Sequence, residues 1–373
     1  MDLAAARKPS VIVTGGGTGG HLYPGLAVAN AILRLAPDTA IFFIGAARGI
    51  ERIVLPERPF PYELLDLHPL YRRTPTKNLL TVRGAMSGWG RLGRIFHERR
   101  PGVVLGTGGY ASALTLAYAW SHGTPIVQQI ADSQPGLAAR LFAPRSRELY
   151  LGYPEARGRV RAGRVSAVLD TGNPIEPPPV PLPDPIVARS TWGFGSGVSS
   201  VVLVFGGSQG AAPLNRVVDE WVAQGLPPST GLIWATGPGE FAAYERRQRA
   251  DVVVRPYLAP ISEAYAAADV VLARAGAMTT AELCAWGKAM VLVPLPHAAQ
   301  DHQTANARAL DAAGAAVMLA QQDLTLESLR ATVGALLTDP SRRARVGANA
   351  LARAHPRAAE TIARRILSLV DLR

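Results

Sequence analysis

Val11–Pro24 read VIVTGGGTGGHLYP. Four β-prone residues, Val11–Thr14, run into five glycines within the six positions 15–20, with Thr18 between them. Leu22, Leu26, Ala29 and Leu33 then recur at spacings of three and four, which predicts one apolar helix face. Strand, glycine turn and helix start make the first βα unit of a nucleotide-binding sheet. Glycine lets the backbone take positive φ and approach a ligand closely. The helix start offers unpaired N–H groups and a positive dipole end, which favours phosphate. Pro24 is expected at the first helical position, where its missing N–H is not needed. His21 lies at the lip of the turn and reads either as a capping histidine or as a chemical group. The dinucleotide pattern G-x-G-x-x-G can be laid on Gly15, Gly17 and Gly20, but no carboxylate ends a second strand ~20 residues later. Ile41–Gly45, IFFIG, ends in glycine instead, and no Gly-Lys-Ser/Thr follows the first turn, which excludes a P-loop.

Outward from this unit, apolar runs alternate with helical stretches. Strands are expected at Val11–Thr14, Ile41–Ile44, Val103–Leu105, Ile126–Ile130, Glu148–Leu151 and Ser166–Leu169. A second glycine turn, GTGGYAS at Gly106–Ser112, follows a strand and should line the same crevice. Asp170–Pro185 carries seven prolines, a stiff extended connector. The pattern then restarts: strand Val201–Phe205, turn Gly206–Gly210, helix Ala211–Trp221. Further strands are expected at Leu232–Ala235, Val252–Val254, Val270–Ala273, Met290–Val293 and Ala316–Leu319, with terminal helices over Ser341–Arg373. Strands separated by helices imply parallel sheets that bind ligands beyond the strands' carboxyl ends. The fold class is therefore α/β, with two similar doubly wound domains and glycine turns on both walls of a deep cleft.

Composition narrows the function. The 373 residues suit two domains and bury a large core, with 48% hydrophobic and 18% charged residues. One cysteine, Cys284, excludes an internal disulfide and a cysteine metal cluster, and its alanine-rich surroundings suit a buried, inert thiol. No export signal and no membrane-length apolar run is seen, so a cytoplasmic location is expected. The net charge of +11 favours anionic partners. Nucleic acid is disfavoured, because no basic run is interleaved with aromatics. Phe60–Arg100 mixes Arg72, Arg73, Lys77, Arg83, Arg91, Arg94, Arg99 and Arg100 with Leu70, Tyr71, Leu79, Leu80, Met86 and Trp89. That suits contact with an anionic bilayer, best placed on the loop Leu70–Asn78, while the helix beyond it packs on the sheet.

Two stretches of the second half carry chemistry. Arg274–Glu282, RAGAMTTAE, follows a strand and opens a helix. Its N–H groups and Thr279 suit a diphosphate, and Glu282 suits ribose hydroxyls. Pro294–Asn306 gathers His297, Gln300, Asp301, His302, Gln303 and Asn306, which suits a sugar better than a metal because no helical ligand spacing is present.

GGTGGHLYPGLAVA at Gly16–Ala29, GTGGYAS, TGNP at Thr171–Pro174, FGGSQGA at Phe205–Ala211 and the run Arg274–Ala307, in this order, resemble the MurG family of bacterial transferases. The family adds N-acetylglucosamine to a lipid-linked muramyl-pentapeptide. The resemblance implies a GT-B fold of two Rossmann-like domains: an acceptor and membrane-side domain over 1–169, a linker over 170–185, a donor domain over 186–355, and a terminal helix over 356–373 that returns to the first domain. It implies UDP-N-acetylglucosamine as donor, lipid I as acceptor, lipid II as product with inversion, no cofactor and no metal. The site would be peripheral on the cytoplasmic face of the cell membrane, near other cell-wall synthesis proteins. His21 resembles the base for the acceptor 4-hydroxyl. Thr18, Gly19, Gly20 and Ser208 would approach the donor diphosphate or sugar, and the Leu258 backbone the uracil. Ala277, Met278, Thr279, Thr280 and Ala281 match the phosphate-binding helix start, Glu282 the ribose ligand, and Gln303 the reader of the sugar hydroxyls. Two places depart from the family. Gln129, Ile130, Ala131 and Asp132 replace His-Glu-Gln-Asn, and Glu176 stands where arginine is usual. Other readings are a GT-B transferase for a different lipid, a nicotinamide oxidoreductase, and a sugar-nucleotide-binding protein without activity.

Overall fold

The computed structural model describes residues 9–69, 71, 76, 78–164, 166–296 and 301–371. The chain divides into two compact units, Met1–Glu176 with His355–Arg373, and Pro177–Ala354. The first contains strands β1 (Ser10–Thr14), β2 (Ala40–Ala46), β3 (Tyr62–Leu65), β4 (Val103–Gly106), β5 (Ile126–Ile130), β6 (Glu148–Leu151) and β7 (Ala167–Asp170). They lie in the order β3-β2-β1-β4-β5-β6-β7 and every neighbouring pair is parallel. The second contains β8 (Ser200–Phe205), β9 (Thr230–Ala235), β10 (Val252–Arg255), β11 (Val270–Ala273), β12 (Ala289–Leu292) and β13 (Val317–Met318), in the order β10-β9-β8-β11-β12-β13, again all parallel.

Helices cover the sheets: α1 (Gly19–Leu35), α2 (Glu51–Val54), α3 (Asn78–Arg99), α4 (Tyr110–Ser121), α5 (Leu137–Phe142), α6 (Pro185–Thr191), α7 (Ala212–Gln224), α8 (Phe241–Tyr244), α9 (Ser262–Ala267), α10 (Ala277–Ala285), α11 (His302–Ala312), α12 (Leu326–Thr338), α13 (Pro340–Ala352) and α14 (Ala358–Asp371). Both sheets are covered on two faces, so their central strands are near-continuous apolar runs. Val11 and Val13 face a core shared with Leu22, Leu26 and Ile32 of α1 and with Ile362, Ala363 and Ile366 of α14. Ile12 faces the opposite core, with Leu92 and Phe96 of α3 and Leu116 of α4. Glu148, buried on β6, accepts from Tyr150 Oη at 2.8 Å and from the Arg365 guanidinium of α14. Burial and this carboxylate push the Tyr150 phenol well above its ordinary value.

In each sheet the strand order reverses once. The reversal falls between β1 and β4 in the first unit and between β8 and β11 in the second. Open α/β sheets bind ligands beyond the strand ends at such a reversal. The glycine turns after β1 and β4 flank one reversal; Gly206–Gly210 and the start of α10 flank the other.

The structure corrects three expectations. β3 was hidden in the basic segment Phe60–Arg100; it is a short edge strand set between prolines and a loop, and its alternation is too brief to read. α1 starts at Gly19, so Pro24 lies inside it. Thr18 is extended, and the N–H groups of His21 and Leu22 both donate to its carbonyl at 3.2 Å, which starts the helix before the proline is reached. Pro24 then only removes the bond to the Gly20 carbonyl. The segment Ala316–Leu319 pairs over Val317–Met318 alone.

Leu70, Arg72, Arg73 and Lys77 of the expected membrane loop lie outside the described residues. α3 does pack on the sheet. It buries Gly84, Gly88, Leu92, Ile95 and Phe96, and a Cβ on Gly84 would meet the Asp66 carbonyl oxygen at 2.2 Å. Its other face exposes Leu79, Leu80, Val82 and Met86, the last at 73%, beside arginines. Among the described residues, no helix is long and apolar enough to cross a membrane.

Candidate active site

The glycine turn of the first unit is filled from within. Glu51, the first residue of α2, is fully buried. Its two carboxylate oxygens each accept from the Gly17 N–H at 3.0 Å, and Oε1 also accepts from the Ala46 N–H at 3.0 Å. A Cβ on Gly16 would lie 1.9 Å from Oε1, and one on Gly49 2.0 Å from Oε2. The Tyr110 ring covers the turn from the other side, where a Cβ on Gly17 would meet Cε1 at 2.8 Å. Burial, then the Glu51 charge, push the Tyr110 phenol up. Part of the turn's anion-binding capacity thus serves an internal carboxylate. Sequence reading missed Glu51. The signal was the glycine ending IFFIG: it marks the gap into which this side chain folds, since a Cβ on Gly45 would meet Glu51 Cγ at 2.9 Å.

Beyond that carboxylate, Thr18, Gly19, Gly20 and His21 form the first turn of α1. His21 is held across the strand reversal by Thr107, which follows β4. Thr107 Oγ1 donates to the His21 carbonyl at 2.6 Å, and the Thr107 carbonyl lies 3.2 Å from His21 Nδ1. A carbonyl only accepts, so the hydrogen of this bond sits on Nδ1, and Nε2 is the ring nitrogen that a neutral imidazole would use to accept a proton. The two turns touch closely: a Cβ on Gly15 would stand 2.0 Å from Thr107 Oγ1, and one on Gly109 2.1 Å from the Gly16 oxygen.

The family departures sit further along the same sheet. Gln129 Nε2 donates to Asn173 Oδ1 at 2.7 Å, and Asn173 Nδ2 donates to the Ala131 carbonyl at 3.0 Å. Ile130 is buried, Asp132 half-buried and Glu176 exposed. The replaced stretch and TGNP are thereby tied together.

In the second unit, Ser208 is exposed at the tip of the turn after β8. Gly210 has φ +77° and approaches the Thr236 carbonyl so closely that a Cβ would lie 2.0 Å from its oxygen. The Gly237 N–H in turn donates to the Pro256 carbonyl at 3.1 Å. This row of contacts leads to Leu258, whose side chain is buried and whose backbone makes no hydrogen bond among the described residues. On the other side of the reversal, Gly276 caps α10, and the first helical bond is Thr280 N–H to the Gly276 carbonyl at 2.9 Å. The Met278 and Thr279 N–H groups precede that bond at the helix mouth, where an anion is favoured. Thr279 Oγ1 stands there too, 3.8 Å from a Cβ placed on Gly276. The Thr280 hydroxyl instead turns inward, 3.0 Å from the Gly276 and Ala277 carbonyls.

Arg274, just before this helix start, is 6% exposed. Its guanidinium donates to the Val293 and Pro294 carbonyls at 3.1 Å each and to Gln321 Oε1 at 2.6 Å. Among the described residues no carboxylate pairs with it, and burial pulls it below the ordinary guanidinium value. A buried cation without a counter-charge is costly; it places positive potential behind the mouth of α10. Asn306 Nδ2 donates to the Ala275 carbonyl at 3.2 Å and brings α11 alongside. Gln303 Oε1 accepts from the Leu295 N–H at 2.9 Å, which turns the amide's donors outward. Ser208, Leu258, Ala277–Glu282 and Gln303 are thus grouped at the carboxyl ends of one sheet. His297 and Gln300 lie outside the described residues. Among the described residues no group of three or more His, Cys, Asp or Glu is arranged for a metal. Cys284 is buried in α10, and burial pushes its thiol up to about 12.

Residues 11–150 match the glycosyltransferase family 28 N-terminal domain, and residues 201–362 its C-terminal domain. The chain is similar over 98% of its length to a UDP-N-acetylglucosamine–N-acetylmuramyl-(pentapeptide) pyrophosphoryl-undecaprenol N-acetylglucosamine transferase of Salinibacter ruber, at 37% identity and 98% of that protein. The chain belongs to this transferase family. A relative with the same description from Prosthecochloris aestuarii is 36% identical over 98% of this chain and 100% of its own. The crystal structure of Acinetobacter baumannii MurG superposes with a TM-score of 0.76 at 21% identity, covering 97% of this chain and 100% of that one. That likeness shows the GT-B fold: two parallel-sheet α/β domains.

Proposed function

We propose that this glycosyltransferase moves N-acetylglucosamine from UDP-N-acetylglucosamine to the 4-hydroxyl of the muramyl sugar of lipid I and forms lipid II. The observation that carries this reading is the match to the transferase relatives over nearly the whole chain, with both strand reversals built from the matching motifs.

The second unit holds the donor. The Met278 and Thr279 N–H groups and Ser208 take the diphosphate, the Leu258 backbone the uracil, Glu282 the ribose and Gln303 the sugar. The first unit holds the acceptor. His21 Nε2 takes the proton of the 4-hydroxyl as its oxygen attacks the anomeric carbon. The bond to UDP breaks on the opposite face, and the configuration inverts. An imidazole with an ordinary value of about 6.5 suits a base near neutral pH. The charge on departing UDP is met by helix-start N–H groups and by the field of Arg274, which is electrostatic stabilisation without a cation. The exposed apolar residues and arginines of α3 suit docking on the cytoplasmic face of the cell membrane.

The test is transfer of radiolabelled sugar from UDP-N-acetylglucosamine to a lipid I analogue, with and without chelator. Chelator-resistant transfer is expected, and would mean that Asp132 and Glu176 are tolerated. UDP binding without transfer would overturn the reading of donor sugar or acceptor.

A further inference from the structure

Glu282 does not stand alone on α10. Tyr265 of α9 donates from Oη to Glu282 Oε2 at 2.8 Å. Tyr265 is 1% exposed, and its ring neighbours those of Phe205 and Trp286, with centroids 6.2 and 5.8 Å away. Phe205 ends β8 directly before the Ser208 turn, and Trp286 follows the last residue of α10. One buried ring therefore touches both sides of the strand reversal and points its only polar atom at the carboxylate.

Two features make this bond more than packing. A buried hydroxyl needs a partner, and a carboxylate can only accept, so the direction of the bond is fixed. Burial, and then the neighbouring Glu282 charge, push the Tyr265 phenol far up, so it remains a donor throughout the working pH range. A free glutamate side chain rotates about its terminal torsion, whose wells are broad. Anchoring one oxygen sets the plane of the carboxylate before any ligand arrives, which removes an ordering cost from binding.

We propose that Tyr265 is a positioning residue for ribose recognition: its buried hydroxyl holds the Glu282 carboxylate in the plane that accepts the ribose hydroxyls of a uridine diphosphate sugar. This rests on the donor site described above. Tyr265 does not touch the nucleotide itself.

The experiment compares binding of UDP and 2′,3′-dideoxy-UDP by calorimetry. Wild-type protein is expected to favour UDP by roughly 10-fold or more, since hydrogen bonds to a charged group are strong. Tyr265→Phe keeps the ring and removes only the oxygen. It should cut that preference to within about 3-fold, with the dideoxy ligand bound as before. Tyr265→Phe added to Glu282→Ala should change the preference no further. Equal weakening of both ligands by Tyr265→Phe would show a structural role and overturn the proposal, as would an unchanged preference. A wild-type protein that binds both ligands equally would instead overturn the assignment of Glu282 to the ribose. If Tyr265→Phe fails to fold, Tyr265→Met, which fills the site with a flexible apolar chain and no hydroxyl donor, must also lose the preference; retention overturns the proposal.

Discussion

The two strand reversals are built alike and equipped oppositely. After β1, the glycine turn closes on the buried carboxylate of Glu51; behind α10, the buried charge is the Arg274 guanidinium. One unit has supplied its own anion and the other its own cation. The first unit sets His21 in the first turn of a helix, with Nδ1 3.2 Å from the Thr107 carbonyl, the setting proposed above for proton removal. The second places the Met278 and Thr279 N–H groups ahead of the first helical bond of α10, beside that positive charge, the setting proposed above for a diphosphate. On the reading proposed above, two copies of one architecture are divided between base chemistry and anion binding by the sign of the buried charge beside each strand reversal.

Three substitutions test that division, and the largest effect is expected at His21. His21→Ala should lower turnover by roughly 10²–10⁴-fold while UDP binding stays nearly unchanged. Near-normal turnover would remove the base from the first unit and the contrast with it. Next is Glu51→Ala, which leaves the Gly17 and Ala46 N–H groups without their acceptor. A loss of about 2–6 kcal/mol in urea unfolding is expected, from two stranded donors at ~1–3 kcal/mol each. Wild-type stability would mean that the turn closes without its internal anion. The smallest effect is expected for Arg274→Leu. Calorimetry should show UDP affinity reduced by roughly 10-fold, about 1.4 kcal/mol. If affinity for UDP and for uncharged uridine fell equally, the guanidinium would be bracing Val293, Pro294 and Gln321 and not opposing the diphosphate.

Most of the fold was legible because covered parallel strands write themselves as apolar runs between glycine turns. β3 was not, because an edge strand of YELL between prolines lacks both length and period. The site divided in a similar way. Its glycine turns and helix starts are local, so the turns at Gly15–Gly20 and Gly206–Gly210 and the helix start after Arg274 could be read directly from the chain, while the residue roles came from the family resemblance. The partners that set their chemistry come from far away in sequence: Glu51 for Gly17, Thr107 for His21, Tyr265 for Glu282, Gln321 for Arg274. No periodicity announces such pairs. The misplaced start of α1 has the same origin, since the carbonyl of Thr18 decided it and not the proline.

The return of α14 to the first unit bears on how the protein is made. Ile362, Ala363 and Ile366 complete a core begun by Val11 and Val13, and Arg365 neutralises Glu148. During synthesis the first unit therefore waits, with an open apolar face and an acid held by Tyr150 alone, while the second is translated and becomes able to fold. The amino-terminal half of the sequence is the half that matures last. Released chains truncated before residue 358 would then display a protease-sensitive first unit beside a resistant second one.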